Sequence, residues 1–269
     1  GEHFGDSIAQ AWDRAESALA LSLVRMAVRH GRFGNDYHDY HNEMHALEIL
    51  DRRIGRVMRE AGPHTLTGMD WIALSLFASC HDLRQREVID TGHPVGSNEA
   101  ASIAETQRIL DRCGFERGHD RALYLALDIM IAGSTFDANP QASDRRTYNT
   151  AEVIHSGGPL APNLGREMER IHPGWSKTPD VERALDLALI ASDLDTANVG
   201  ESFIELSDSS ARLAGEREMR AGRSLDSVAS GAPMLGFVTG GQERYFFDLH
   251  RFCSPLGERV YAAGKAANA

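Results

Sequence analysis

Residues 69–82 read MDWIALSLFASCHD, a run apolar at nearly every position until it ends on His81-Asp82. A helix on a protein surface carries one apolar stripe, so a segment apolar all round predicts a helix buried within a bundle. The ionisable pair at its end is then the informative feature, because an ionised carboxylate buried without a partner is costly. A second segment repeats the design: LDLALIASDLD, residues 185–195, runs apolar and closes on Asp193 and Asp195.

Working outward, helical spacing predicts a helix over 7–30 (Ile8, Trp12, Ala15, Leu19, Leu23, Met26, Val28) and another over 41–61 (Met44, Leu47, Ile49, Leu50, Ile54, Val57), stopping at Gly62-Pro63. Ser97 opens a capping-box-like S-N-E-A stretch, and a helix is expected from there to Cys113, ended by Gly114. Apolar helices are predicted over 120–132 and 179–197, the latter started by Pro179-Asp180. Helices are further expected over 202–220 and 242–263, with a Gly-rich break at 230–241. The stretch 134–178 carries Pro140, Pro159, Pro162, Pro173 and Gly157-Gly158; it reads as a long loop with short helical turns, a length usually functional, as in a lid. No segment alternates with a period of two, and no repeat or low-complexity tract is present. The expectation is an all-α fold forming a single domain over 1–269.

Composition narrows the function classes. The 269 residues are 42% hydrophobic and 25% charged, ordinary for a globular protein, with a formal net charge of -11. That balance argues against a grip on a nucleic-acid duplex, which needs a basic face. It leaves room for a small phosphorylated molecule, since a bound cation reverses the local field. Cys80, Cys113 and Cys253 are too few and scattered for a disulfide framework or zinc ribbon, which fits a reducing compartment. The opening GEHFGDSIAQAW has no basic-then-apolar leader pattern, and no run approaches a membrane span. A cytoplasmic protein with no membrane partner is expected.

Four polar patches interrupt the apolar segments: Tyr40-His41-Asn42-Glu43-Met44-His45, His81-Asp82, His93-Pro94-Val95-Gly96-Ser97-Asn98-Glu99, and Ser192-Asp193-Leu194-Asp195. Residues four apart lie on one helix face, so His41 and His45 can reach a common site. Each patch alone has a bland explanation as solvated or capping residues. Their conjunction is what points to a divalent cation held by imidazole and carboxylate.

In this order the patches resemble the HD superfamily of metal-dependent phosphohydrolases, with its H…HD…D signature. YHNEMHALEIL, LSLFASCHDL, HPVGSNE and ASDLDTANVG are similar to segments of the cyclic-nucleotide phosphodiesterases. The resemblance spans about residues 37–200. It implies an HD-type helical bundle with its metal-binding core there and C-terminal helices over 201–269 packed on it. It implies His45, His81, Asp82 and Asp193 as metal ligands, with Asp82 bridging to a second metal, and His41 as the acid that protonates the leaving group. Two divalent ions are expected, from Mn, Fe, Zn or Mg. His93, Asn98 and Glu99 are candidates for the second metal or its surroundings, and Gln242 and Phe246 for the substrate pocket. Asp195 is a fallback for Asp193, two positions on and facing elsewhere on the helix; His38 reads as a solvated neighbour. The sequence departs from the phosphodiesterases at Gln85, where they carry a further histidine, and at Met234, where their purine-gripping glutamine falls.

The expected reaction is hydrolysis of a phosphodiester by metal-activated hydroxide, on a small phosphorylated molecule such as a nucleotide. The alternatives are a nucleotidase or other phosphomonoesterase, and an HD-type di-iron oxygenase drawing on His93 and His119.

Overall fold

The computed structural model describes residues 8–85, 96–135, 159–165 and 178–269. His93 and most of the 134–178 stretch, with the lid expected there, lie outside the described residues. The fold is all-α, with no strand among the described residues. Helix α1 spans Ala9–His30, and α2 (Glu43–Leu47) continues through a π-helical Glu48–Ile54 into α3 (Gly55–Ala61). Then follow α4 (Gly68–Cys80), α5 (Ser97–Arg112), α6 (Arg121–Gly133), α7 (Pro179–Thr196) and α8 (Phe203–Arg220). The C-terminal part contains α9 (Val228–Gly236), a π-helical Phe237–Gly241, α10 (Gln242–Arg244), a π-helical Tyr245–Leu249 and α11 (Pro255–Asn268).

The apolar run takes the central place expected of it. Trp71, Ile72, Leu74, Leu76, Phe77 and Ala78 of α4 are all buried, and α4 packs on α1, α6 and α7. Its start is fixed by a capping box: Thr67 Oγ1 accepts from the Asp70 N–H while the Asp70 carboxylate accepts from the Thr67 N–H. Asp70 also pairs with Arg183 of α7. The most extensive helix contact is between α6 and α7. Gly133 sits where Leu164 packs on this pair; a Cβ added there would lie 2.9 Å from Leu164 Cδ1, while its 3.4 Å to the Ala188 Cβ is ordinary contact.

Two boundaries differ from the expectation. The Gly-rich stretch 230–241 is helical, not a break. Glycine disfavours a helix by only about 1 kcal/mol each, and Phe237 anchors this one, buried under the Arg217 guanidinium, 4.6 Å from its ring centroid. The break falls instead at 250–254, before Pro255 at the first turn of α11. At the start of α5 the residue before the helix is Gly96, at φ 93°, so Ser97 is the first helical residue and not a cap.

Candidate metal centre

Three elements distant in sequence bring their polar ends to one place. His45 projects from α2, whose start is capped by the Asn42 side chain accepting from the Met44 N–H at 2.9 Å. His81 and Asp82 follow directly on α4, and Asp195 lies in the last turn of α7. One ligand atom from each of His45, His81 and Asp82 lies within 4.8 Å of the others. His45 Nε2 is 3.0 Å from Asp195 Oδ1 and 3.8 Å from Asp82 Oδ2; His81 Nε2 is 3.0 Å from Asp82 Oδ2 and 3.4 Å from Asp195 Oδ1. His45, His81 and Asp82 are buried, at 1%, 4% and 8% exposure.

The centre is electrostatically unfinished. His81 Nε2 and Asp82 Oδ2 are buried and lack hydrogen-bond geometry to any partner. His81 Nδ1 faces the Phe77 carbonyl at 3.2 Å, so that nitrogen donates and Nε2 is the one aimed at the centre, where it carries either the second proton or a lone pair for a cation. Burial opposes charge on His81, yet Asp82 and Asp195 outweigh it and raise its pKa well above the usual value. Burial dominates at His45, whose pKa falls. Burial also works against the Asp82 and Asp195 carboxylates, but the imidazoles hold both below the ordinary range. A proton on His81 thus balances part of two buried negative charges, and a divalent cation displacing it would balance both. The donor set, two imidazoles and two carboxylates, suits such an ion.

The structure corrects the expected aspartate. Asp193 is not in the centre. Its Oδ1 accepts from the Cys253 N–H at 2.6 Å, and its Oδ2 from the Ser254 N–H at 2.8 Å and the Ser254 hydroxyl at 2.6 Å. Burial pushes its pKa up to about 6, against these three donors, which favour the ionised form. Two residues turn a helix by about 200°, so only one of Asp193 and Asp195 can face His45, and it is Asp195. A Cβ on Gly257 would lie 2.6 Å from Asp193 Cγ, so the start of α11 can sit on this carboxylate only with glycine there.

His41 stands beside the centre, its ring centroid 6.2 Å from that of His45. Its Nδ1 lies 2.7 Å from Oε1 of Glu216, a buried residue of α8. Glu216 Oε1 also takes His38 Nδ1 at 3.1 Å, and its Oε2 accepts the Tyr40 and His41 N–H groups, each at 2.9 Å. Burial alone would lower the His41 pKa; Glu216 and Asp82 overcome it and raise it to about 9. His38 is not the solvated neighbour expected: it is 1% exposed, held between Glu216 and Asp36.

Several residues that matter here gave no motif. Arg53, fully buried in the π-helical segment, pairs with Glu201 and donates to the Leu194 and Asp195 carbonyls, fixing the end of α7 that presents Asp195. Its only signal is a charge among Ile49, Ile54 and Val57. Gln85 Nε2 donates to Asp82 Oδ1 at 2.7 Å, and Asn98 Nδ2 to Gln85 Oε1 at 3.1 Å, so Asn98 reaches the centre through Gln85. Glu99 is half-buried in the first turn of α5. Phe246, expected at a substrate pocket, is packed with Val199 and Leu206, while Gln242 is half-buried at the start of α10. Tyr245 is the aromatic that senses Tyr40 and Asp195; burial first, then those neighbours, raise its phenol. His119 is exposed beside Asp120 and outside the centre.

No protein-family model matches the chain, and a search of curated proteins finds no match. No helix among the described residues is long and apolar enough to cross a membrane.

Proposed function

We propose that this chain is a metal-dependent phosphohydrolase acting on a small phosphorylated molecule, a phosphodiester foremost, as its resemblance to the HD superfamily implies. The observation that carries the reading is the convergence of His81 Nε2 and Asp82 Oδ2, buried 3.0 Å apart without hydrogen-bond geometry, with His45 and Asp195 beside a charged His41. His45, His81, Asp82 and Asp195 would hold the cation. When bound it would supply a water ionised near neutral pH and withdraw charge from the phosphoryl oxygens.

The rest of the chemistry belongs to side chains already in place. His41 has Nδ1 committed to Glu216, which leaves the proton on Nε2 for the departing oxygen. Glu216 keeps that imidazolium charged at neutral pH and, through the Tyr40 and His41 N–H groups, fixes the turn that carries it. A positioned acid of this kind contributes about 10²–10⁴-fold in rate. Gln85 orients the Asp82 carboxylate, and Arg53 the end of α7. The oxygenase alternative loses support from the exposed position of His119.

The test is metal analysis of the purified protein, then a panel of phosphodiesters and phosphomonoesters with Mn, Fe, Zn and Mg. Asp82→Ala is expected to abolish both cation retention and hydrolysis, and His41→Ala to keep the cation and slow turnover. A protein that retains no cation under metal-rich conditions, or retains one and hydrolyses no phosphoester, overturns the reading.

A further inference from the structure

The resemblance implies two metals joined by Asp82, and the carboxylate this chain presents is not free on both sides. Its Oδ2 lies 3.0 Å from His81 Nε2 without hydrogen-bond geometry, but its Oδ1 accepts the Gln85 amide at 2.7 Å. That amide is held in turn. Gln85 Oε1 accepts from Asn98 Nδ2 at 3.1 Å, Asn98 being 4% exposed on α5. The Gln85 N–H is 3.3 Å from Nε2 of the fully buried His30, whose Nδ1 lies 3.0 Å from the Asp36 carbonyl.

We propose that the centre is built for a single divalent cation, with the Gln85–Asn98 amide pair occupying the side of Asp82 from which a second would be held. The inference rests on the cation-binding reading and concerns the number of ions alone.

An amide NH2 is the positive end of its dipole, so the group nearest Oδ1 repels a cation instead of ligating it. Turning Gln85 to offer Oε1 would bring its NH2 against that of Asn98, so both amides would have to reverse together. Charge points the same way. Asp82 and Asp195 carry two negative charges, which one divalent ion neutralises; the nearby His41 and Arg53 are already matched by Glu216 and Glu201, so a second ion would bring positive charge that no described carboxylate of the centre balances. Nor, among the described residues, do the neighbouring clusters offer spare ligands. His38, His41 and Glu216, and likewise His30, Asp36 and His38, already hydrogen-bond to one another.

The experiment loads the metal-free full chain with Mn²⁺, removes the excess by dialysis, and measures Mn per chain together with the electron paramagnetic resonance spectrum. The expected result is one Mn per chain with the signal of an isolated ion. Gln85→Glu replaces the repelling NH2 by a carboxylate oxygen of the same shape and adds a negative charge. It is expected to raise the ratio to two and to give a spin-coupled spectrum, with the circular dichroism of the parent. Two coupled Mn ions in the parent protein overturn the inference and leave the cation reading standing. A Gln85→Glu chain that stays at one Mn overturns the assignment of Gln85 as the block. No bound Mn in the parent overturns the cation reading itself.

Discussion

Two imidazole–carboxylate clusters stand side by side, made of the same residue types and in opposite states. The Glu216 carboxylate itself is fully bonded: it takes His38, His41 and two backbone N–H groups. Around Asp82 the bonding is incomplete: His81 Nε2 and Asp82 Oδ2 are buried with no hydrogen bond. Buried polar groups are normally satisfied, and an exception calls for a physical cause, an absent ion being one. Residue type alone therefore does not separate a metal centre from a hydrogen-bonded brace. On the reading proposed above, what separates them is the unspent bonding capacity of the Asp82 cluster, whereas the Glu216 carboxylate, being saturated, holds and charges a side chain.

That contrast is broken most severely by removing a carboxylate from the unsaturated side. Asp195→Ala is expected to weaken cation binding by more than the ~10–100-fold typical of losing a ligand's outer partner, measured by equilibrium dialysis with Mn²⁺ or Zn²⁺. Unchanged affinity would show that Asp195 is not a ligand. On the saturated side, Glu216→Gln should leave the cation bound and lower turnover by about 10²–10⁴-fold through loss of the His41 charge. A variant that loses its metal instead would join the two clusters into one.

Much of this was legible in the sequence, and the failures have physical causes. The helix over 69–82 declared itself because only a buried helix is apolar all round, and His81-Asp82 followed from it. The choice between Asp193 and Asp195 was not legible for the same reason. Leu187, Ala188, Ile190, Ala191 and Leu194 bury α7 on nearly every side, so periodicity gives no face to read. What decides it lies far along the chain: the start of α11 takes Asp193, and Arg53 fixes the turn of Asp195. Glu216 was invisible because its partners are more than 170 residues away and its neighbours on α8 read as an ordinary charged surface. The helix through 230–241 depends likewise on a tertiary contact, Phe237 with Arg217, that overrides local glycine preference.

The two aspartates of α7 sharpen the comparison with a smaller effect. Asp193→Asn should leave cation content unchanged and destabilise the fold by about 1–3 kcal/mol, since an amide cannot accept all three donors of Cys253 and Ser254. Urea denaturation with parallel metal analysis reads both quantities; loss of metal with unchanged stability would return Asp193 to the centre.

The gentlest probe is pH, applied to the metal-free protein. The folded-state pKa of His41 is raised from 6.5 to about 9, so its protonated form is favoured by folding. The sign follows: the stability it contributes is fully present below pH 6.5 and is lost as pH rises through about 9. His81 is raised as well and adds a loss in the same direction, but its cause is Asp82 and Asp195, not Glu216. Glu216→Gln should therefore remove the larger part of the His41 share, leaving what Asp82 contributes, and flatten the fall in urea midpoint between pH 6.5 and 9 without abolishing it. Bound cation should act on the other share, because it replaces the proton on His81. If the parent and Glu216→Gln chains lose stability in parallel across this range, Glu216 does not hold the charge on His41, and the saturated cluster is a brace with no part in proton transfer.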